Sequence, residues 1–207
     1  MTAPPQIETG PWERVAEWTE TAFDAPFVTV ESHNAVYERP EFRERVAALM
    51  PEGIDQSPRA VFTTGLSFDP PPPGDRTPER LLAIAARYAS REFRKSLGED
   101  GLENVEQTGS QNIRLRGRRT AKAFQYDADY PLSAAALDAP EEPRLRIRVW
   151  AALWATGEAF SMAGGIYPLE DLATAVERAG GRTDVTVEAM PGGDRREVFD
   201  RIREAAE

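Results

Sequence analysis

Residues 144–168 read RLRIRVWAALWATGEAFSMAGGIYP, and the fold is read outward from this stretch. Its first half has a period of two. Leu145, Ile147, Val149, Ala151 and Leu153 fall on one side, while Arg144, Arg146, Arg148, Trp150, Ala152 and Trp154 fall on the other. Successive strand side chains point to opposite faces, so this is a long strand with two unlike faces. Thr156-Gly157-Glu158 has turn chemistry, and Ala159 to Tyr167 reads as a return strand, which makes the unit a β-hairpin. Gly164-Gly165 lies in that second strand, where a missing side chain marks a bulge or the close approach of a helix or a ligand.

The flanking sequence supplies further strands and helices. Trp12 to Phe23 fits either a helical stripe or a strand, and β-branched and aromatic content favours a hairpin with Phe27 to Val30. Ala35 to Tyr37 continues that second strand after a bulge or bend near His33-Asn34. Pro40 to Met50 is a short helix with Phe42, Val46, Leu49 and Met50 on one face. Arg59 to Phe68 is a strand. Thr77 to Leu97 is a long helix, capped by Thr77 and Gly98, with Leu81, Leu82, Ala85, Tyr88, Ala89 and Phe93 as its inner stripe.

Glu103 to Thr108, Ile113 to Arg116 and Thr120 to Tyr130 read as three strands, and Leu132 to Pro143 as a loop. After the central hairpin, Pro168 opens a helix with Leu169, Leu172, Ala173 and Val176 inward, and Val185 to Ala189 fits a short strand. Asp194 and Glu197 form a capping box for a last helix docked by Val198, Phe199, Ile202 and Ala205. Consecutive strands joined by tight turns form an antiparallel sheet, and helices must cover it. The fold class is therefore α+β, an antiparallel β-sheet covered by helices. A chain of 207 residues is long enough for one good core, so residues 12–207 form a single domain behind a flexible N-terminus at 1–11.

This order of elements resembles the PsbP/Mog1-like fold, an antiparallel sheet between helical layers. At residue level the likeness rests on Arg148-Val149-Trp150, on the hairpin leading to Gly164-Gly165-Ile166-Tyr167, and on the amphipathic helix from Asp194. The stretch from Arg148 to Pro168 is also similar to conserved hypothetical proteins of haloarchaea. The resemblance implies a binding or accessory protein rather than an enzyme. Many proteins of that fold carry export signals, and the opening MTAPPQIETG has neither a basic end nor an apolar region. The expected location is the cytoplasm.

Composition narrows the function classes. The 35 acidic residues against 25 Lys plus Arg give a net charge of −10, which argues against bulk nucleic-acid binding. Lysine is confined to Lys95 and Lys122. Acid-rich, lysine-poor sequences resemble proteins of salt-loving archaea, in which salt screens the self-repulsion of the surface. GC-rich coding is the other source of such a bias. With no cysteine, disulfides, thiolate metal sites and Cys nucleophiles are excluded. No apolar run reaches the roughly 20 residues that span a bilayer.

Few residues have the pattern of a reactive site. His33 is the only histidine, so neither a multi-His metal site nor a spaced catalytic triad is visible. Neither a nucleotide-binding glycine pattern nor any other cofactor signature appears. Asp127 and Asp129 share a strand face roughly 7 Å apart, as paired hydrolytic carboxylates or as a solvated face. The residues that stand out are arginines. Arg144, Arg146 and Arg148 share one face with Trp150 and Trp154, and Arg114 and Arg116 share a face of a nearby strand. If those strands are neighbours, five guanidiniums line one patch, either balanced by the protein's own carboxylates or open to an anion. The first expectation is a non-enzymatic module holding an anionic small molecule or an acidic protein partner on this Arg/Trp face. The alternatives are a hydrolase using Asp127, Asp129 or His33, and a purely structural interaction domain.

Overall fold

The computed structural model describes residues 3–8, 10–26, 28–70, 78–157 and 159–207. Seven antiparallel strands form one sheet: β1 (Glu13–Ala25), β2 (Val28–Glu38), β3 (Ala60–Asp69), β4 (Glu103–Arg114), β5 (Thr120–Pro131), β6 (Arg144–Thr156) and β7 (Ala159–Pro168). Their order across the sheet is β1-β2-β3-β7-β6-β5-β4. The helices are α1 (Pro40–Val46), α2 (Pro78–Glu99), α3 (Leu172–Arg178) and α4 (Pro191–Ala205). This is the α+β class that the strand and helix patterns predicted.

The β6–β7 hairpin lies at the centre and is apolar on both faces. Leu145, Ile147, Val149, Ala151 and Leu153 join a core with side chains of α1, α2 and α3. Trp150, Ala152 and Trp154 join a second core on the opposite face, with Val198, Phe199 and Ile202 of α4. A strand buried on both sides needs helices on both sides, and the chain supplies them. Gly164 and Gly165 show how close the layers come. A Cβ on Gly165 would lie 2.8 Å from Val198 Cγ2, and one on Gly164 would lie 2.0 Å from the Trp150 carbonyl oxygen. The close neighbours are therefore α4, the Phe62 ring of β3 and the protein's own backbone.

Several boundaries depart from the expectation. The Trp12–Phe23 region is strand, paired with β2 from Glu13↔Glu38 to Ala25↔Val28. Neither bulge nor bend occurs at His33-Asn34, since β2 is continuous strand there and pairs with β3 without a shift from Thr29 to Glu38, and the irregularities sit between Arg14 and Ala16 and between Thr21 and Phe23 of β1. The two short strands expected at 103–108 and 113–116 are one strand, β4, interrupted in register between Gln107 and Gly109 and ending at Arg114, so that Arg116 lies in the turn beyond it and shares no strand face with Arg114. Gly98 lies inside α2, and it is Gly101, at φ 94°, that turns the chain out of the helix. Thr77, expected as its cap, lies outside the described residues.

Tyr88 of the expected inner stripe is 53% exposed, whereas Ala86 and Leu97 are buried. Helix α3 begins at Leu172, and Ala175 rather than Ala173 faces inward. Residues 185–189 form no strand; Val187 is buried and its carbonyl accepts the Leu172 N–H. Helix α4 begins at Pro191, ahead of the expected capping box, and Asp194 is buried in its first turn. In the segment expected to fray, Ile7 is 6% exposed, packed against Ala35, Tyr37 and Val61.

Candidate functional site

The register of the sheet decides the fate of the arginine set. β4 and β6 both flank β5, but Arg114 pairs with Thr120 while Arg148 pairs with Asp127. Seven residues along β5 separate the two groups by roughly 24 Å at 3.4 Å per residue. Arg144, Arg146 and Arg148 are thus at one end of the sheet, and Arg114 and Arg116 at the other. Most of them meet carboxylates. Arg148 forms a two-pronged bond with Asp127, at 2.7 and 2.8 Å. Arg144 pairs with Glu103, and Arg116 with Glu207. The Arg146 side chain is exposed, and its backbone N–H donates to Glu170 Oε1 at 3.0 Å.

The tryptophans of that face are core residues. Trp150 is 4% exposed and Trp154 1% exposed beneath α4. Trp150 packs edge-on against Phe199 with ring centroids 5.0 Å apart, and its indole N–H donates to Tyr167 Oη at 3.3 Å. The Tyr167 hydroxyl is held above its ordinary range chiefly by burial. An Arg/Trp platform open to a ligand is therefore not assembled on this strand.

The carboxylates and the histidine are separated as well. Asp127 is bound by Arg148, and Asp129 Oδ2 accepts the Asn104 side-chain N–H at 2.8 Å. His33 lies on β2, four strand positions from β5, which amounts to roughly 19 Å. It is 8% exposed, with Nδ1 3.0 Å from Thr19 Oγ1. These three do not converge on one reacting centre.

A different site emerges on the α2 side of the sheet. α2 packs against β4, β5 and β6, and leaves a space over β1, β2 and β3. The cleft there has a volume of about 580 Å³. Its walls are apolar: Phe62, Leu66 and Phe68 from β3, Phe160 and Met162 from β7, and Leu81 from α2. At its rim Trp18, Phe23, Ile84 and Tyr88 are 43%, 39%, 57% and 53% exposed. Phe23 and Tyr88 reach across from β1 to α2, with centroids 6.4 Å apart.

One patch of the wall is polar. Ser32, Asn34 and Thr64 are 4%, 9% and 5% exposed and belong to the cleft lining. Thr64 Oγ1 donates to Asn34 Oδ1 at 2.9 Å, and Asn34 Nδ2 donates to Ser32 Oγ at 3.0 Å and to Glu20 Oε1 at 3.1 Å. Alternation places Ser32, Asn34 and Thr64 on the same sheet face as Val30, Val36, Phe62 and Leu66. Polar side chains buried in an otherwise apolar wall are the informative kind of exception. The rim beside them is acidic. Partial desolvation, then the charges of Glu20 and Glu99, hold the Asp100 carboxyl above its usual range.

The signal for this cleft was present in the sequence as Trp18 and Phe23 on one strand and Ile84 and Tyr88 on one helix. What it lacked was any indication that these residues stay uncovered. Among the described residues no His, Asp and Glu cluster is arranged to hold a metal ion. No helix among them is long and apolar enough to cross a membrane.

The profile of a family described as Domain of unknown function (DUF6517) matches residues 3–205. No curated protein and no solved structure matches the chain.

Proposed function

The chain belongs to the DUF6517 family, and from that footing we propose that it is a non-enzymatic binding module whose ligand is an elongated apolar molecule held between α2 and strands β1–β3. The observation that carries this reading is the 580 Å³ cleft with four large apolar side chains exposed at its rim. That volume lies in the range of small-molecule sites, which are largely apolar with a few placed polar groups. Exposed aromatic and aliphatic side chains grouped at one opening mark a binding surface, whereas the same residues scattered singly would not.

The polar patch supports one end of the ligand being polar and donating. Both Asn34 amide hydrogens and the Thr64 hydroxyl hydrogen are already spent inside the patch. The capacity left over is lone pairs on Asn34 Oδ1 and Thr64 Oγ1, which accept. Glu20 and Asp100 nearby, with Lys95 of the lining already paired with Glu99, disfavour an anionic head. A hydroxyl or amine end fits this patch, and a carboxylate end does not.

The test uses the fluorescence of N-phenyl-1-naphthylamine, an uncharged apolar probe. It should brighten on mixing with the protein, and Ala85→Trp, which puts an indole into the cleft, should abolish the rise while the protein stays folded. Decanol should displace the probe at about ten-fold lower concentration than decanoate at neutral pH. An equal signal from Ala85→Trp would remove the cleft reading. Equal displacement by both competitors would remove the preference for a donating end.

A further inference from the structure

The opposite face of the sheet carries a second, unlike concavity. A groove of about 480 Å³ lies between the outer end of β4 and α4. Its floor is Ile113 and Phe199, and Arg114, Arg195, Arg196 and Arg203 surround it. On α4 the spacing of 196, 199 and 203 is that of one helical face, so Arg196, Phe199 and Arg203 stand in a row over β4. The row from Arg196 to Arg203 is roughly 10 Å long at 1.5 Å per residue.

The charge balance of this surface is unusual for a chain of net −10. The carboxylates of α4 and the end of the chain are already engaged. Asp194 pairs with Arg59, Glu197 with Arg39, Asp200 with Arg203, and Glu207 with Arg116. Among the described residues Arg114, Arg195 and Arg196 have no ion pair. Arg195 is nonetheless held in place, with its guanidinium 5.4 Å from the centroids of both Trp150 and Phe199. A guanidinium stacked on rings keeps its edge N–H groups available and has little freedom left to lose on meeting an anion.

We propose that this groove is a binding site for a small polyanion, a molecule with two or more phosphate or carboxylate groups on a partly apolar frame. Arg114, Arg195 and Arg196 supply forked donors that match either group, and Ile113 and Phe199 supply the apolar floor. The groove lies across the sheet from the apolar cleft, so the two sites are independent and an anion here does not compete with an apolar ligand there. The strand pattern pointed to Arg114, while Arg195, Arg196 and Arg203 escaped it because they lie in a helix read only for its inner face.

Calorimetric titration with tripolyphosphate and with tricarballylate tests the site. One equivalent of at least one of the two should bind, and the anion that binds tighter assigns the phosphate or the carboxylate class. The exposed pair Arg114→Ala/Arg196→Ala should weaken it about ten-fold or more, and Arg196→Gln alone should weaken it less. The control Arg87→Ala/Arg91→Ala removes the same charge from α2 and should leave affinity within about two-fold. Melting temperatures confirm that each variant is folded. The proposal is overturned if neither anion binds below about 1 mM, or if the control weakens binding as much as the groove variant. It is equally overturned if a short single-stranded oligonucleotide binds where neither small anion does, since the surface would then be a nucleic-acid interface.

Discussion

Trp154 and Trp18 are the same residue on two strands of one sheet, yet Trp154 is 1% exposed and Trp18 43% exposed. Trp154 lies on β6, which has a helix on each face. Trp18 lies on the edge strand β1, at the rim of the cleft that α2 leaves because it packs on β4, β5 and β6. The difference lies in what covers each strand and not in the strands' own composition. The covered half of the sheet, from β7 to β5, holds most of the core. The β1–β3 half has an apolar inner face without a complete cover. A fold of this size can leave such a face open because the core elsewhere suffices, and an uncovered apolar face is the usual starting point of a ligand site.

The strongest way to break the contrast is a glycine in the packed half. Gly164→Val should prevent folding altogether, because even its Cβ would sit 2.0 Å from the Trp150 carbonyl oxygen and 2.5 Å from Phe62 Cζ. A backbone oxygen cannot move aside without breaking the ladder to β6. The loss should be about 3 kcal/mol or more, read as absence of a cooperative melting transition. Gly109→Ala on β4 is the matching change at the periphery, with its nearest contact 3.6 Å away at Gln125 Cβ. It should leave stability within about 0.5 kcal/mol. If Gly164→Val melted cooperatively near the wild-type temperature, the packed half would be far softer than its geometry states.

The two tryptophans give the next largest effect. Trp154→Ala should cost about 3–5 kcal/mol by emptying a buried site, measured by denaturant unfolding. Trp18→Ala removes a half-exposed ring and should cost less than about 1 kcal/mol, while lowering the affinity for N-phenyl-1-naphthylamine several-fold. Equal losses of stability at the two positions would mean that β1 is as much core as β6, and the cleft would then be a packing feature.

This contrast also explains what could be read in advance. The β6–β7 hairpin was legible because five alternate apolar residues followed by turn residues have only one comfortable fold. Helix α4 was legible from Val198, Phe199 and Ile202, and β5 from Phe124, Tyr126, Ala128 and Tyr130, all on the sides that the structure buries. β4 was not legible as one strand. Its register slips between Gln107 and Gly109, and its exposed residues carry no alternation to bridge the slip. The Arg/Trp face failed for a related reason. That β4 adjoins β5 was predictable, but that Arg114 meets Thr120 while Asp127 meets Arg148 depends on pairing register, which local pattern does not encode. The cleft was illegible because Trp18 and Trp154 sit in similar alternating contexts, and only the placement of the helices distinguishes them: α4 covers Trp154, while α2 packs over β4, β5 and β6 and leaves Trp18 at an open rim.

A pH-dependent effect concerns the arginine end of β6, where ion pairing rather than packing holds the surface. Glu170 is 15% exposed at its side chain and accepts two bonds from Arg178, at 2.7 and 2.9 Å, and the Arg146 backbone N–H at 3.0 Å. Burial alone would raise its carboxyl, but these bonds and the nearby guanidiniums outweigh it, and the group is lowered from its ordinary 4.5. A lowered carboxylate adds stability that is complete above the ordinary value and is lost as pH falls through the lowered one. Glu170→Gln should therefore cost about 1 kcal/mol at pH 7, as a partly exposed pair does, and nothing once the pH is well below 4.5. The melting-temperature gap between wild type and variant should close on acidification. Asp194 responds with the opposite sign. Burial outweighs its pairing with Arg59, so its carboxyl is raised from 3.8, and the stability tied to it falls as pH rises through that window. A gap that widened in acid would mean that Glu170 is held in its protonated form, and that Arg178 serves β6 only through the Arg144 carbonyl it also bonds at 2.9 Å.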